Sequence, residues 1–180
     1  MILMSTYALG EIPFHDVYIH GMLRDKHGKK FSKSAGNGID PLEVIEEYGT
    51  DALRFSLLAG ISPGNDSKFY TEKVEGAQHM VNKLWNVARF MLLNIPEPKI
   101  DIQKPTPKTA VEESIVWKLD ETIATSNELF GQYQFSQVGE LLREFMTSEL
   151  ADWYLEMAKV DESNPELFNY ILNTLLKLWH

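Results

Sequence analysis

Lys30 and Lys33 lie three apart around Phe31 and Ser32, with Ser34 next in the chain and Gly28, Gly36 and Gly38 on either side. Two ammonium groups on flexible stems can follow a polyphosphate as its charge moves during a reaction, which a rigid array does less well. Ser32 and Ser34 add hydroxyl donors, and backbone amides near Gly36 can add more. Between residues 24 and 34 the cations Arg24, Lys26, Lys29, Lys30 and Lys33 face a single carboxylate, Asp25. Such a cluster suits a compact polyanion. Taken without context, the same run also reads as a solvated charged turn.

The flanking elements favour the phosphate reading. Val17-Tyr18-Ile19-His20 is β-branched and aromatic, ends at Gly21, and predicts a buried strand that runs into the basic loop. After the loop, Asp40-Pro41-Leu42-Glu43 combines a capping carboxylate, proline at the first helical position and an acid in the first turn. It predicts a helix to about Tyr48, stopped at Gly49, and then a second helix capped by Thr50 or Asp51 that ends at Ala59 and Gly60. A loop between a strand and a capped helix is where α/β folds bind ligands.

The turn-forming run Ile61-Ser62-Pro63-Gly64-Asn65-Asp66-Ser67 leads to a boundary near Thr71, dividing the chain into residues 1–70 and 71–180. Beyond it Val74, Ala77, Val81, Leu84, Ala88 and Met91 form the stripe of a first bundle helix. Pro96, Pro98, Pro105 and Pro107 mark an extended, exposed connection from Asn94 to Ala110. Ile115, Leu119, Ile123 and Phe130 predict a second long helix, and Val138, Leu141, Leu142, Phe145, Leu150, Trp153 and Met157 a third. Asn164-Pro165-Glu166 starts a fourth, carrying Leu167, Ile171, Leu172, Leu175 and Leu178. The expected fold is mainly α: a small α/β piece followed by an antiparallel helix bundle, cut off at His180.

Composition excludes several classes. The net charge of −9 argues against a generic nucleic-acid binder, but it conceals +1 over residues 1–40 and −10 over residues 41–180. The chain has no cysteine, and its five histidines show no ligand spacing, so no metal is expected on it. Neither a membrane-length apolar run nor a basic signal segment is present, and a cytoplasmic location is expected.

Val17-Tyr18-Ile19-His20-Gly21, Gly28, Lys30-Phe31-Ser32-Lys33-Ser34, Gly36-Asn37 and Ile39-Asp40-Pro41 resemble the second signature region, KMSKS, of the class I aminoacyl-tRNA synthetases. Tyr48-Gly49-Thr50-Asp51-Ala52-Leu53-Arg54-Phe55, Ser62 to Asp66, Val74 to Gly76, Asn82 to Asn86, Arg89-Phe90 and Asp152 to Glu156 are similar to the valine-specific branch of that class. The resemblance implies activation of valine by ATP with Mg2+, then transfer to tRNA. It implies that Lys30 and Lys33 are catalytic, steadying the triphosphate and departing pyrophosphate. ATP contacts would extend over His20, Gly21, Phe31, Ser32, Ser34 and Asn37, with Asn37 shaping the loop's exit. Phe31 stands where the family usually has methionine, and packing at that position would anchor the loop.

The resemblance also implies what the chain lacks: the HIGH signature, the amino-acid pocket and the editing domain. By itself the chain is expected to be an inactive piece, able to self-associate through an exposed bundle face, of an enzyme that is otherwise monomeric. Lys83, Arg89 and Phe90, the last lying off the apolar stripe, are the expected tRNA contacts. Trp85, Trp117, Trp153 and Trp179 are read mainly as core, Asp51 and Arg54 as a structural ion pair, and His27 and His79 as surface residues. Two alternatives stand beside this reading: an isoleucine or leucine enzyme of the same class, and a noncatalytic helix-bundle module that binds RNA.

Overall fold

A computed structural model describes the chain except residues 33, 35, 101 and 161–163. The elements in order are α1 (Ile2–Leu9), β1 (Leu23–Arg24), α2 (Pro41–Tyr48), α3 (Thr50–Leu58), β2 (Ser67–Lys68), α4 (Thr71–Leu93), α5 (Ala110–Gly131) and α6 (Phe135–Glu144). A π-helical segment (Phe145–Tyr154), α7 (Leu155–Val160) and α8 (Pro165–Trp179) complete the chain.

β1 and β2 pair in parallel, with Leu23 opposite Ser67 and Arg24 opposite Lys68, so α2 and α3 form the crossover of a small β-α-β unit. The expected strand at Val17–His20 is absent. Val17, Tyr18 and Ile19 are exposed and no described strand lies beside them, so the extended run has no ladder to join. Pairing starts three residues after His20, where Asp66 turns the second strand alongside. α1 was not expected. It buries no residue, and its apolar side chains face outward.

Capping follows the sequence closely at two helices. Asp40 accepts from the Leu42 amide and Asn164 from the Leu167 amide, each followed by proline at the first helical position. α3 differs from expectation. Its N-cap is Gly49, at φ 89°, and neither Thr50 nor Asp51 caps it through a side chain. Asp51 and Arg54 do form the expected pair, at 3.9 Å on the surface.

The main core gathers Met91, Ile115, Leu119, Met146, Leu150, Leu167, Phe168, Ile171 and Leu175, contributed by α4, α5, the π segment and α8. A second cluster, Ala52, Leu53, Phe69, Val74 and Ala77, spans the position of the sequence boundary because α3 packs on α4. Phe55 touches both clusters, and its ring lies 5.4 Å from that of Trp179.

The third predicted bundle helix is one run in sequence but three segments in space. From Phe145 to Tyr154 the winding is π, which rephases the side chains: Phe145, Met146, Leu150 and Tyr154 turn inward while Trp153 is left 37% exposed. The connection between α4 and α5 is non-helical, as the prolines require. It is not wholly exposed, because Ile95 is buried and Lys99 is tied to α8. The Lys99 amide donates to Asn169 Oδ1, and the Lys99 carbonyl accepts from Asn169 and Asn173.

Candidate functional site: a basic loop and a bundle groove

The basic loop hangs from β1. An antiparallel bridge joins Arg24 to Lys30, and the turn between them is closed by the Asp25 amide donating to the Lys29 carbonyl and the Gly28 amide donating to the Asp25 carbonyl. Gly28, at φ 81°, takes the left-handed position that this tight reversal needs. Asp25 Oδ1 accepts from the His27 and Lys29 amides at 2.9 and 2.8 Å.

Asn37 closes the loop from its far side. Its Oδ1 accepts from the Ser32 amide at 3.0 Å, and its Nδ2 donates to Asp25 Oδ2 at 3.0 Å and to the Lys30 carbonyl at 3.3 Å. The opposite amide orientation would set NH2 against the Ser32 N–H and oxygen against a carboxylate, so the network fixes which way the group points. These contacts, led by the Asn37 bond, hold the Asp25 carboxyl below its ordinary pKa. Phe31, between the two residues that Asn37 grips, is half-buried against the α3/α4 cluster. Ser32 Oγ and Ser34 Oγ lie 3.1 Å apart. Lys33 lies outside the described residues.

Asp66 fixes the base of the loop. It accepts from the Met22 amide at 2.8 Å and from Arg24 Nε at 2.5 Å, and these two bonds, the amide first, depress its pKa. Nearby, a Cβ on Gly21 would come within 1.8 Å of the Asn65 carbonyl oxygen, so only glycine permits this backbone approach. Together these contacts shape a cavity of about 440 Å³ lined by His20, Gly21, Lys30, Phe31, Asn65 and Ser67, among others. His20 Nδ1 donates to the Gly21 carbonyl at 2.8 Å. The structure thus gathers His20, Gly21, Lys30 and Phe31 around one hollow, with Ser32 and Asn37 in the adjoining loop. Asp25, Asp66 and Asn65 are the contributors that sequence reasoning missed. Asp25, as the lone acid among five cations, was the one legible signal.

The second concave feature, about 500 Å³, runs between α4 and the π segment with α7. Its walls carry His79, Asn82, Lys83, Asn86 and Phe90 on one side and Asp152, Glu156 and Lys159 on the other. Lys83 pairs with Asp152 at 3.1 Å, and Lys159 pairs with Glu156 at 2.5 Å while lying 5.6 Å from the Phe90 ring centre. Lys83 and Phe90 share this groove; Arg89 is exposed but does not line it. Phe90 is partly buried and tilts against Phe168 at 6.5 Å, so lying off the stripe did not leave it free in solvent. The tryptophans correct the core reading. Trp85 and Trp117 are 71% and 62% exposed, because helical rotation points them away from α8 and α5's partners; only Trp179 packs on the core.

Comparison with known proteins decides the family. Residues 1–70 match the family described as tRNA synthetases class I (I, L, M and V), and residues 112–180 match the anticodon-binding domain of tRNA ligase. Valine–tRNA ligases of Symbiobacterium thermophilum and Halalkalibacterium halodurans are each 44% identical, over 94% and 100% of this chain. The chain belongs to the class I tRNA synthetases. It spans 18% and 22% of the length of those two relatives. Its fold matches that of the LeuRS of Agrobacterium radiobacter, solved as a ternary complex with tRNA and LeuAMS, at a TM-score of 0.83 and 20% identity, over 99% of this chain and 23% of that one.

In this chain the two concave features described lie in different parts of the sequence. The loop and its cavity belong to residues 1–70, whereas the groove joins α4, between the matched regions, to the anticodon-binding region. Among the described residues no group of three His, Cys, Asp or Glu side chains is placed to hold a metal ion, and no helix is long and apolar enough to cross a membrane.

Proposed function

We propose that this chain is the part of a valine–tRNA ligase that holds the triphosphate of ATP on the loop from His20 to Asn37 and presents its bundle to tRNA. The observation that carries the reading is the convergence of Lys30, His20 and Gly21 on one hollow beneath a loop whose backbone is already tied at Ser32. Lys30 and Lys33 steady the charge that grows on the pyrophosphate as valine attacks the α-phosphate, and mobile ammonium groups suit that movement. Ser32, Ser34 and nearby amides add donors, and Mg2+ arrives with the nucleotide. The residue ranges 1–70 and 71–180 divide this work between a nucleotide-binding piece and an anticodon-binding bundle.

On the bundle, Lys83 and Phe90 supply a cation and an aromatic face in one groove, with Arg89 beside it, a pairing that suits an unstacked nucleotide and its phosphate. The anticodon-binding match and the tRNA held by the LeuRS support this part. The test is Lys30→Ala in the complete ligase containing this chain. Valine-dependent ATP–pyrophosphate exchange should fall on the order of 100-fold, as expected for losing one charge-stabilising group, while thermal unfolding stays unchanged. Exchange at the parent rate would remove the phosphate assignment.

A further inference from the structure

A carboxylate is an unexpected neighbour for a polyphosphate. Asp25 stands in the middle of five cations, where it would repel the anion the loop is built to hold. Its geometry shows where that charge is directed. Both oxygens are engaged by N–H donors of the loop itself: Oδ1 by the His27 and Lys29 amides, Oδ2 by Asn37 Nδ2. The negative charge is therefore spent on backbone and carboxamide donors. It is not aimed outward.

Asn37 completes the device. Its carboxamide bonds the carbonyl of Lys30 and the amide of Ser32, the two peptide groups on either side of Phe31, as a neighbouring strand would. Phe31 itself is packed against the α3/α4 cluster. The three residues Lys30-Phe31-Ser32 are thus held by a side chain below and a carboxamide beside them, and that carboxamide is itself oriented by Asp25. Neither Asp25 nor Asn37 needs to touch the nucleotide to affect it.

We propose that Asp25 and Asn37 form a hydrogen-bonded pair of positioning residues that fixes where Lys30 and the Ser32 amide stand relative to the departing pyrophosphate. The proposal rests on the phosphate-loop reading above. Because preorganised groups act mainly in the transition state, the pair should govern kcat for adenylate formation more than the KM for ATP.

The test uses Asp25→Asn, Asn37→Asp and the double exchange in the complete ligase, with kcat and KM(ATP) from valine-dependent pyrophosphate exchange and thermal unfolding alongside. Asp25→Asn is nearly isosteric but sets NH2 against the NH2 of Asn37; Asn37→Asp sets two carboxylates together. Each single exchange should lower kcat on the order of 10- to 100-fold with KM(ATP) nearly constant, the scale of a misplaced catalytic group. The double exchange restores one donor facing one acceptor and leaves an acceptor for the Ser32 amide, but not the donor to the Lys30 carbonyl, so it should recover kcat above the product of the single losses while staying below the parent value. Single variants with parent kcat overturn the proposal. So does a double variant whose loss equals that product, or a loss of exchange that tracks a lost unfolding transition. If Lys30→Ala leaves exchange unchanged, the phosphate reading itself has failed; if Lys30→Ala abolishes exchange while Asp25→Asn does not alter it, only the positioning pair has.

Discussion

Single residues near the loop are specified by what they touch, and their acids carry a pH signature. The Met22 amide and then Arg24 hold the Asp66 carboxyl below its ordinary value of 3.8, and Asn37 and the Lys29 amide do the same for Asp25. A carboxyl whose pKa is lowered by folding contributes stability above its unfolded value and loses it as pH falls toward the folded one. The urea midpoint should therefore drop as pH falls below about 4, the unfolded carboxylate range. Asp66→Asn should flatten that acid limb while leaving the slope near neutrality alone; an unaltered limb would show that Asp66 does not report folding. Phe31 illustrates what a residue's type conveys. Its apolar character announced packing, and it packs, but the sequence did not say that Asn37 grips the peptide groups on both sides of it.

At the scale of elements, the N-terminus of α5 is where several segments meet. Thr109 caps the Glu112 amide, and the Glu112 side chain, buried among α5, α8 and the connection, accepts from the Lys108 amide at 2.6 Å and from Asn164 Nδ2 at 3.3 Å. Asn164 meanwhile caps α8. One carboxylate thus ties the proline-rich connection to the starts of two helices. Tyr154, buried against Phe168 and close to Glu112, has its phenol pushed above the usual range, by burial first and by that carboxylate second. Removing Glu112 takes a partner from the Lys108 amide and from the buried Asn164 carboxamide, so Glu112→Ala should cost roughly 1–3 kcal/mol in urea unfolding. A loss within error of zero would mean that water replaces the carboxylate. Thr109 and Glu112 are three residues apart in the chain; the third participant, Asn164, is 52 residues from Glu112.

Across the whole molecule, the β-α-β piece and the bundle are joined by side chains from both. Phe55 of α3 meets Trp179 of α8 and lies 3.4 Å from where a Cβ on Gly139 of α6 would stand. The Ile61 amide donates to Ser136 Oγ at 3.1 Å, and Tyr18 packs with Tyr133 and Phe135 in an aromatic cluster. Phe55→Ala should cost about 2–4 kcal/mol, the low end for a large aromatic because the ring is only half-buried. It should also make the α3/α4 cluster exchange amide hydrogens faster than α8; equal protection in both would show that Phe55 is not the joint.

The sequence by itself determined the elements whose causes are local. The capped starts at Asp40 and Asn164, the apolar stripes of the bundle and the proline-rich connection all follow from residues within a few positions of one another. Tertiary structure decided whatever depends on a distant partner. Val17 to Ile19 had strand-forming residues but no neighbouring strand, while Leu23 and Arg24 became a strand because Ser67 and Lys68 lie beside them. Trp85 and Trp117 are outside and Phe90 half inside because packing selects a helix's inner face by rotation, and periodicity alone leaves that rotation uncertain by a residue. Asp25 found its role only through Asn37, twelve residues on, since a hydrogen-bond partner is chosen by distance in space and not by spacing along the chain.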